Sequence, residues 1–155
     1  MPTATRPKMQ NYGITTDIDG LLPWSWADER LTKARNYWIS TAGSDGKPHA
    51  APVWGVWQDG ALYFGSEENA RKARNLRARP DVIMHLESGD EVVIVEGRAE
   101  FLTLALLPAE ISPAYDAKYS VKLDDPAALM IRITPQVVLA WQETDFPKTA
   151  TRFVF

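Results

Sequence analysis

The sequence predicts an α+β protein built on an antiparallel sheet of six strands that closes toward a barrel. Two observations support this fold class. Strand-like segments rich in β-branched and aromatic residues succeed one another through tight turns, as at Asp59-Gly60. Helical segments are inserted between hairpins and do not follow every strand, which argues against a doubly wound parallel sheet. The predicted order of elements is α-βββ-α-ββ-α-β.

The N-terminal half is predicted to hold one helix and a three-stranded meander. Ser25 can cap the helix, and Asp28 provides a variant of the capping box three positions on. Pro52 cannot donate a ladder hydrogen bond and Gly55 has no side chain to pack, so the second strand is expected to carry an edge, a bulge or a close approach by a ligand. The predicted segments are a helix over residues 26–36 and strands over 37–41, 49–58 and 61–65.

The C-terminal half is predicted to begin with a basic helix that Pro80 ends. A hairpin about Ser88-Gly89-Asp90 follows, with strands over 81–87 and 91–102. A helical region then starts at Leu107, is broken at Pro113 and continues weakly through Tyr119. A last long strand covers residues 128–140. We expect residues 1–20 to form a loose arm and residues 21–155 to form a single domain with an aromatic C-terminal tail.

Composition excludes several classes of chemistry. The 155 residues include no cysteine and only two histidines, which leaves no thiolate nucleophile, disulfide or cysteine-rich metal site, and no metal is expected. The net charge of −3 argues against nucleic-acid binding. No apolar run is long enough to cross a membrane and no signal peptide is evident, so a cytoplasmic protein is expected. An enzyme with so few reactive side chains would obtain its chemistry from a cofactor.

The basic helix is the most informative segment. With Asn69 as N-cap, Arg71 and Lys72 fall in the first turn, where cations oppose the helix dipole and a bound anion resolves the conflict. An alternative start places Ser66 at the cap and Glu67 and Glu68 in the first turn, which leaves the later cations as a solvated face. The first arrangement indicates a seat for a phosphate group.

The order of elements and several motifs resemble the split-barrel flavin/deazaflavin oxidoreductases, a superfamily that includes pyridoxamine 5'-phosphate oxidases and F420-dependent proteins. The motifs are Asp45-Gly46-Lys47-Pro48-His49, Pro52-Val53-Trp54, and Ser66 ahead of Lys72-Ala73-Arg74-Asn75-Leu76. The resemblance covers roughly residues 30–142. It implies a six-stranded split β-barrel of the FMN-binding type, and a homodimer with the cofactor at the subunit interface.

The resemblance also implies which residues contact the cofactor. Its phosphate would be held near the third strand and the following helix, by Ser66, Arg71, Lys72 and Asn75. Arg71 and Asn75 are one helical turn apart, so we expect them to share one face with Lys72 beside them.

The ring of the cofactor would lie against the second strand. The residues that the resemblance places along it are Ala51, Pro52, Val53 and Trp54. In this arrangement the protein positions the ring and excludes water, and no protein nucleophile is needed. The proton donor and the substrate stay undetermined, and the two histidines are expected to be structural.

The choice of cofactor also follows from resemblance. Pyridoxamine 5'-phosphate oxidases bring an Arg-x-His element near the C-terminus, and the tail from Trp141 to Phe155 has no histidine. The aromatic tail is more similar to the F420-binding branch. The resemblance therefore favours a reductase that transfers hydride from reduced deazaflavin F420 to a small organic substrate. The alternatives are an FMN-dependent oxidoreductase of the same fold, or a flavin- or haem-binding protein without turnover.

Overall fold

The computed structural model describes all 155 residues, which form an antiparallel nine-stranded sheet and four helices. The strands are β1 (Thr3–Thr5), β2 (Tyr37–Ala42), β3 (Pro48–Val53), β4 (Val56–Gln58), β5 (Ala61–Gly65), β6 (Asp81–His85), β7 (Glu91–Thr103), β8 (Leu129–Gln142) and β9 (Thr151–Val154). The helices are α1 (Trp24–Lys33), α2 (Arg71–Ala78), α3 (Ile111–Tyr119) and α4 (Phe146–Thr149). The predicted mainly antiparallel α+β class is confirmed, whereas the sheet has nine strands and not six.

The strands pair in the order β1-β9-β8-β7-β6-β2-β3, and β5 and β4 branch from β8. β8 pairs with β7 along one edge, while its other edge holds β5 and then β9. The change of partner falls near Pro135, which has no ladder donor, and beside a register shift at Gly97. Because of this irregularity, the one long strand β8 can pair with β5 in its first half and with β9 in its second half.

The predicted strand over residues 49–58 is interrupted at Trp54 and Gly55, and forms β3 and β4 instead. A Cβ atom at Gly55 would lie 2.9 Å from the carbonyl oxygen of Tyr63 and 2.9 Å from Cδ1 of Leu62. The backbone therefore passes too close to β5 for any other residue. The hydrogen-bonded ladder is open, because β3 and β4 are, like β1, terminal strands, and no ladder hydrogen bonds join β3 to β4.

The core is divided between two groups of buried side chains. The larger group contains 20 residues, among them Leu31 of α1, Ile39 of β2 and Leu76 of α2. A smaller group of six residues lies between the β4–β5 hairpin and α3. Apolar contacts thus hold α1, α2 and α3 against the sheet. These contacts fix the positions of the helices that carry residues of the candidate site.

Helix boundaries differ from the predictions for local reasons. α1 begins at Trp24, Pro23 occupies the N-cap position and no side chain caps the helix. Asp28 does not form a capping box, and it accepts a hydrogen bond of 2.8 Å from Nε1 of Trp57. α3 contains Pro113 in its first turn, where a missing N–H costs no helical hydrogen bond. The break predicted at Pro113 is therefore wrong.

Both ends of the chain join the sheet. Within residues 1–20, predicted to be a loose arm, β1 pairs with β9. The Arg6 guanidinium donates hydrogen bonds to carbonyl oxygens of Asp17, Asp19, Lys148 and Ala150. The predicted C-terminal tail forms α4 and β9. None of the four helices has the length and apolarity needed to span a bilayer.

We expect Gly55→Ala to lower the free energy of unfolding by about 1–3 kcal/mol, because the new methyl group overpacks against the backbone of β5. Gly89→Ala is a matched control, since a Cβ atom there meets nothing within 4 Å. Urea denaturation followed by tryptophan fluorescence measures both. Equal losses for the two variants would contradict the close approach at Gly55.

Candidate cofactor-binding site

The first turn of α2 has free hydrogen-bond donors. α2 begins at Arg71, with Ala70 at the N-cap position, no side-chain cap and no acidic residue in the first turn. No acceptor faces the backbone N–H groups of Arg71, Lys72 and Ala73. The alternative start, with Ser66 as cap, is therefore wrong. The cations oppose the helix dipole as predicted, with the cap at Ala70 in place of Asn69.

The structure separates the four residues that were expected to hold a phosphate. Ser66 and Lys72 line one cavity of about 620 Å³. Arg71 is exposed at the start of α2. Asn75 is only 7% exposed, and its Nδ2 donates a hydrogen bond of 3.0 Å to Oγ1 of Thr41. Arg71 and Asn75 thus do not share an exposed face, because α2 turns Asn75 inward to join β2.

The charges around this cavity define where an anion fits. Its wall carries the carboxylates of Glu67, Glu68 and Asp125, and Lys72 is its one cation. Glu68 is paired with Arg77 at 3.0 Å, whereas Lys72 and its exposed neighbours Arg71 and Arg74 have no ion pair. Since the carboxylates repel an anion, the seat that fits a phosphate is the end of the helix and not the whole cavity.

β3 presents a free strand edge, and α2 packs against this strand. It is the last strand of the ladder and pairs only with β2, which confirms the expected edge. Ala51 and the buried Val53 share the inner face of the strand, whereas Pro52 is exposed on the other face. Nδ1 of His49, on the same face as Ala51, is buried without a hydrogen-bond partner. The edge therefore offers unpaired polar groups to a ligand.

Side chains of α3 replace the ladder hydrogen bonds that are missing at the break between β3 and β4. The hydroxyl of Tyr119 accepts a hydrogen bond of 2.9 Å from the N–H of Gly55 and donates one of 2.6 Å to the carbonyl of Arg35. Nζ of Lys118 donates to the carbonyl of Gly55 at 2.8 Å and to the hydroxyl of Tyr37 at 2.9 Å. Both backbone groups of Gly55 are thereby satisfied.

An aromatic stack and two cations surround this break. Trp54 is 41% exposed and stacks on Tyr119, with ring centroids 4.7 Å apart and an interplanar angle of 7°. The guanidinium carbon of Arg35 lies 5.4 Å from the centroid of each ring.

Burial, together with the charge of Arg35, lowers the pKa of Lys118 to about 8. Burial raises the pKa of Tyr37. Neither cation has a carboxylate partner.

The sequence analysis missed Lys118, Tyr119 and Arg35. Tyr115, Lys118 and Tyr119 are spaced to lie on one face of a helix, and this was the available signal. The contact of Arg35 with Trp54 joins distant parts of the chain, and no local pattern indicates it.

The fold defines an α+β protein of the pyridoxamine-oxidase-like class, with a mainly antiparallel sheet. Residues 27–142 match the family described as pyridoxamine 5'-phosphate oxidase. This match spans most of the chain, and the chain belongs to that family.

Solved structures share the fold at low sequence identity. An F420 reductase is 22% identical, with 71% of this chain and 94% of that chain covered and a TM-score of 0.57. A conserved hypothetical protein from Mycobacterium tuberculosis is 22% identical over 87% of this chain and 90% of that chain, with a TM-score of 0.67. An FAD-binding protein from Mesorhizobium loti is 20% identical, covers 86% and 96% of the two chains, and has a TM-score of 0.58. Comparison with curated proteins gives no match.

We expect Tyr119→Phe to destabilise the protein by about 1–3 kcal/mol, because it leaves the buried N–H of Gly55 without an acceptor. Tyr115→Phe is a matched control on the same helix, since the Tyr115 hydroxyl makes no hydrogen bond within the protein, and it should change stability by less than about 0.5 kcal/mol. Thermal and urea unfolding measure the difference. If the two variants lose the same stability, the hydroxyl of Tyr119 does not support the break.

Proposed function

We propose that this protein is an oxidoreductase that transfers hydride from reduced deazaflavin F420 to a small organic substrate, as a homodimer whose cofactor lies at the subunit interface. One observation carries the proposal: α2, whose first turn has free N–H groups and unpaired cations, packs against β2 and β3, and the outer edge of β3 is free. A flat ring with a phosphate-bearing side chain matches this pair of features. We further propose that the strands β2 to β8 correspond to the split barrel of the FMN-binding type.

The residues present fit the phosphate of such a cofactor. The N–H groups of the first turn of α2 and the side chains of Arg71, Lys72 and Ser66 would hold it. Asn75 would support the seat indirectly, because it fixes α2 to β2 through Thr41. Ala51, Pro52, Val53 and Trp54 would line the ring, and the buried, unpartnered Nδ1 of His49 would gain a partner on that face.

The distribution of cations favours F420 over FMN. FMN ends at its phosphate, whereas in F420 a phosphodiester continues into an anionic tail of glutamate residues. Arg71 and Arg74 are exposed on α2 beyond the cavity that Lys72 lines, and neither is paired with a carboxylate. They would meet the continuing tail, and a terminal phosphate would leave Arg74 without a role.

The chemistry asked of the protein is limited. The deazaflavin supplies hydride transfer when bound, and this chain contributes binding, orientation and the exclusion of water. The chain has no cysteine, and hydride transfer from a bound deazaflavin requires no thiolate nucleophile. Trp54 and Tyr119 provide an aromatic surface at the end of β3 against which a flat substrate can lie.

The outer face of the sheet supports the proposed homodimer. Trp38, His85, Ile94 and Leu139 lie in register across four strands, and each is half-buried on the side opposite the core. Trp38 and His85 stack with parallel rings. A contiguous row of apolar and aromatic side chains on one face is typical of a protein interface.

The central experiment is titration of the native protein with F420, FMN and haem, followed by oxidation of reduced F420 in the presence of substrate candidates. We expect F420 to bind, and Arg71→Ala with Lys72→Ala to weaken binding by about tenfold to a hundredfold through the loss of charge-assisted contacts. Lys33→Ala is the control, because Lys33 is an exposed lysine of α1 paired with Glu29.

Other outcomes select the alternatives. Tight binding of FMN without F420 binding would replace the cofactor in the proposal. A Soret band that is lost in His49→Ala would indicate haem binding through an axial histidine. Unchanged F420 affinity in the double variant would remove the proposed phosphate seat.

We expect sedimentation equilibrium to give a dimer, and Trp38→Glu to shift it toward monomer because a charge would be buried in the apolar row. If the interface carries part of the cofactor site, F420 affinity falls in parallel. Thr134→Glu, an exposed change elsewhere on β8, is the control. A wild-type protein that stays monomeric at micromolar concentration contradicts the homodimer.

A further inference from the structure

Two cations without a counterion lie beside the exposed Trp54. The Lys118 ammonium and the Arg35 guanidinium lie 5.3 and 5.4 Å from the centroid of the same Tyr119 ring, and neither forms an ion pair. The six ion pairs of the protein involve other residues. A half-buried ammonium next to a guanidinium is unfavourable in the free protein, because both charges repel and one is partly desolvated. A bound anion would reverse this cost.

The geometry around these cations also defines which shape of anion fits. Lys118 uses two of its three N–H bonds, one on the hydroxyl of Tyr37 and one on the carbonyl of Gly55, which leaves one for a ligand. The exposed ring of Trp54, backed by Tyr119 in a parallel stack, provides a flat apolar surface next to the cations. Flatness and negative charge are therefore required together.

We propose that Lys118, Arg35 and Trp54 bind a planar ligand that carries an anionic oxygen, such as a carboxylate or phenolate, and that this ligand is the hydride acceptor. This inference rests on the proposed function, since the break between β3 and β4 directly follows the strand residues that would line the cofactor ring. Trp54 supports the plane of the ligand, and Lys118 and Arg35 hold its oxygen.

Affinity for such a ligand depends on pH through Lys118. The groups that face its ammonium are the hydroxyl of Tyr37 on β2, the ring of Tyr119 on α3, the guanidinium of Arg35 and the carbonyl of Gly55. No carboxylate is among them. Because the pKa of Lys118 is lowered to about 8, its charge is present below that pH and lost above it. Affinity should therefore fall as pH rises through about 8, while Arg35 stays charged.

The test uses 2-naphthoate and its neutral isostere 2-naphthamide as probes of the native protein at pH 7, with binding followed by calorimetry and tryptophan fluorescence. We expect naphthoate to bind at least about tenfold more tightly than the amide, from one charge-assisted hydrogen bond. Lys118→Gln keeps a donor for the Gly55 carbonyl and removes the charge, and should lower naphthoate affinity by about tenfold. Lys8→Met, which removes an exposed ammonium of the N-terminal segment, is the control.

Arg35→Gln provides a second variant in case Lys118→Gln fails to fold. It should weaken naphthoate binding by a similar factor and shift the midpoint of the pH dependence upward, since the neighbouring charge is gone. Equal affinity for the two probes, or affinity for naphthoate that neither variant changes, would overturn the proposal.

Measuring F420 affinity on the same variants separates this inference from the proposed function. We expect Lys118→Gln to bind F420 like the wild type. If F420 and naphthoate affinity fall together, the cations belong to the cofactor site and the acceptor site is wrong. If wild-type protein binds naphthoate but no F420, the assignment of the anion as hydride acceptor fails together with the proposed function.

Discussion

The interruption of the sheet at Gly55 is the constraint on which the rest of the structure depends. A buried N–H and a buried carbonyl lose their ladder partners there, and leaving one of them unsatisfied costs about 1–3 kcal/mol. Tyr119 and Lys118 supply the missing partners from α3, across 64 and 63 positions of the sequence. The break is therefore stable only with α3 in place, and α3 in turn brings a cation and an aromatic ring to the end of β3.

The same interruption places the candidate cofactor seat. Because β3 leaves the ladder at Val53, its outer edge stays free, while β5 continues and leads into α2. Asn75 then ties α2 to Thr41 of β2, and Arg79 donates a hydrogen bond of 3.1 Å to the carbonyl of Ser44 in the β2–β3 turn. The basic helix is thereby fixed against β2 and the β2–β3 turn by polar contacts, which gives the free N–H groups of its first turn a defined position in the fold.

The sequence predicted the local features and missed the ones that depend on distant pairing. Turn residues such as Asp59-Gly60 and the lack of side chain at Gly55 indicated hairpins and an irregular second strand, and both features are present. The phase of α2 was wrong, because spacing grouped Asn75 with Arg71 while packing against β2 turned Asn75 inward. The roles of Lys118 and Arg35 could not be predicted, since each depends on which chain segments meet at the break.

The placement of charge matters more for ligand choice than the net charge of −3. Six carboxylates on the surface are paired with a cation, among them Glu91 with Arg30 and Glu29 with Lys33, and the field of each such pair is short-ranged. Among the cations without a carboxylate partner, Arg71, Lys72 and Arg74 lie on α2, and Arg35 and Lys118 lie at the break that follows β3. Within a Debye length of about 8 Å, an approaching anion responds to these cations and to nearby carboxylates such as Glu67 and Asp125, and less to acids farther away. Local groups of cations on a chain of net negative charge are thus compatible with the proposed anionic cofactor at α2 and the proposed anionic acceptor at the break.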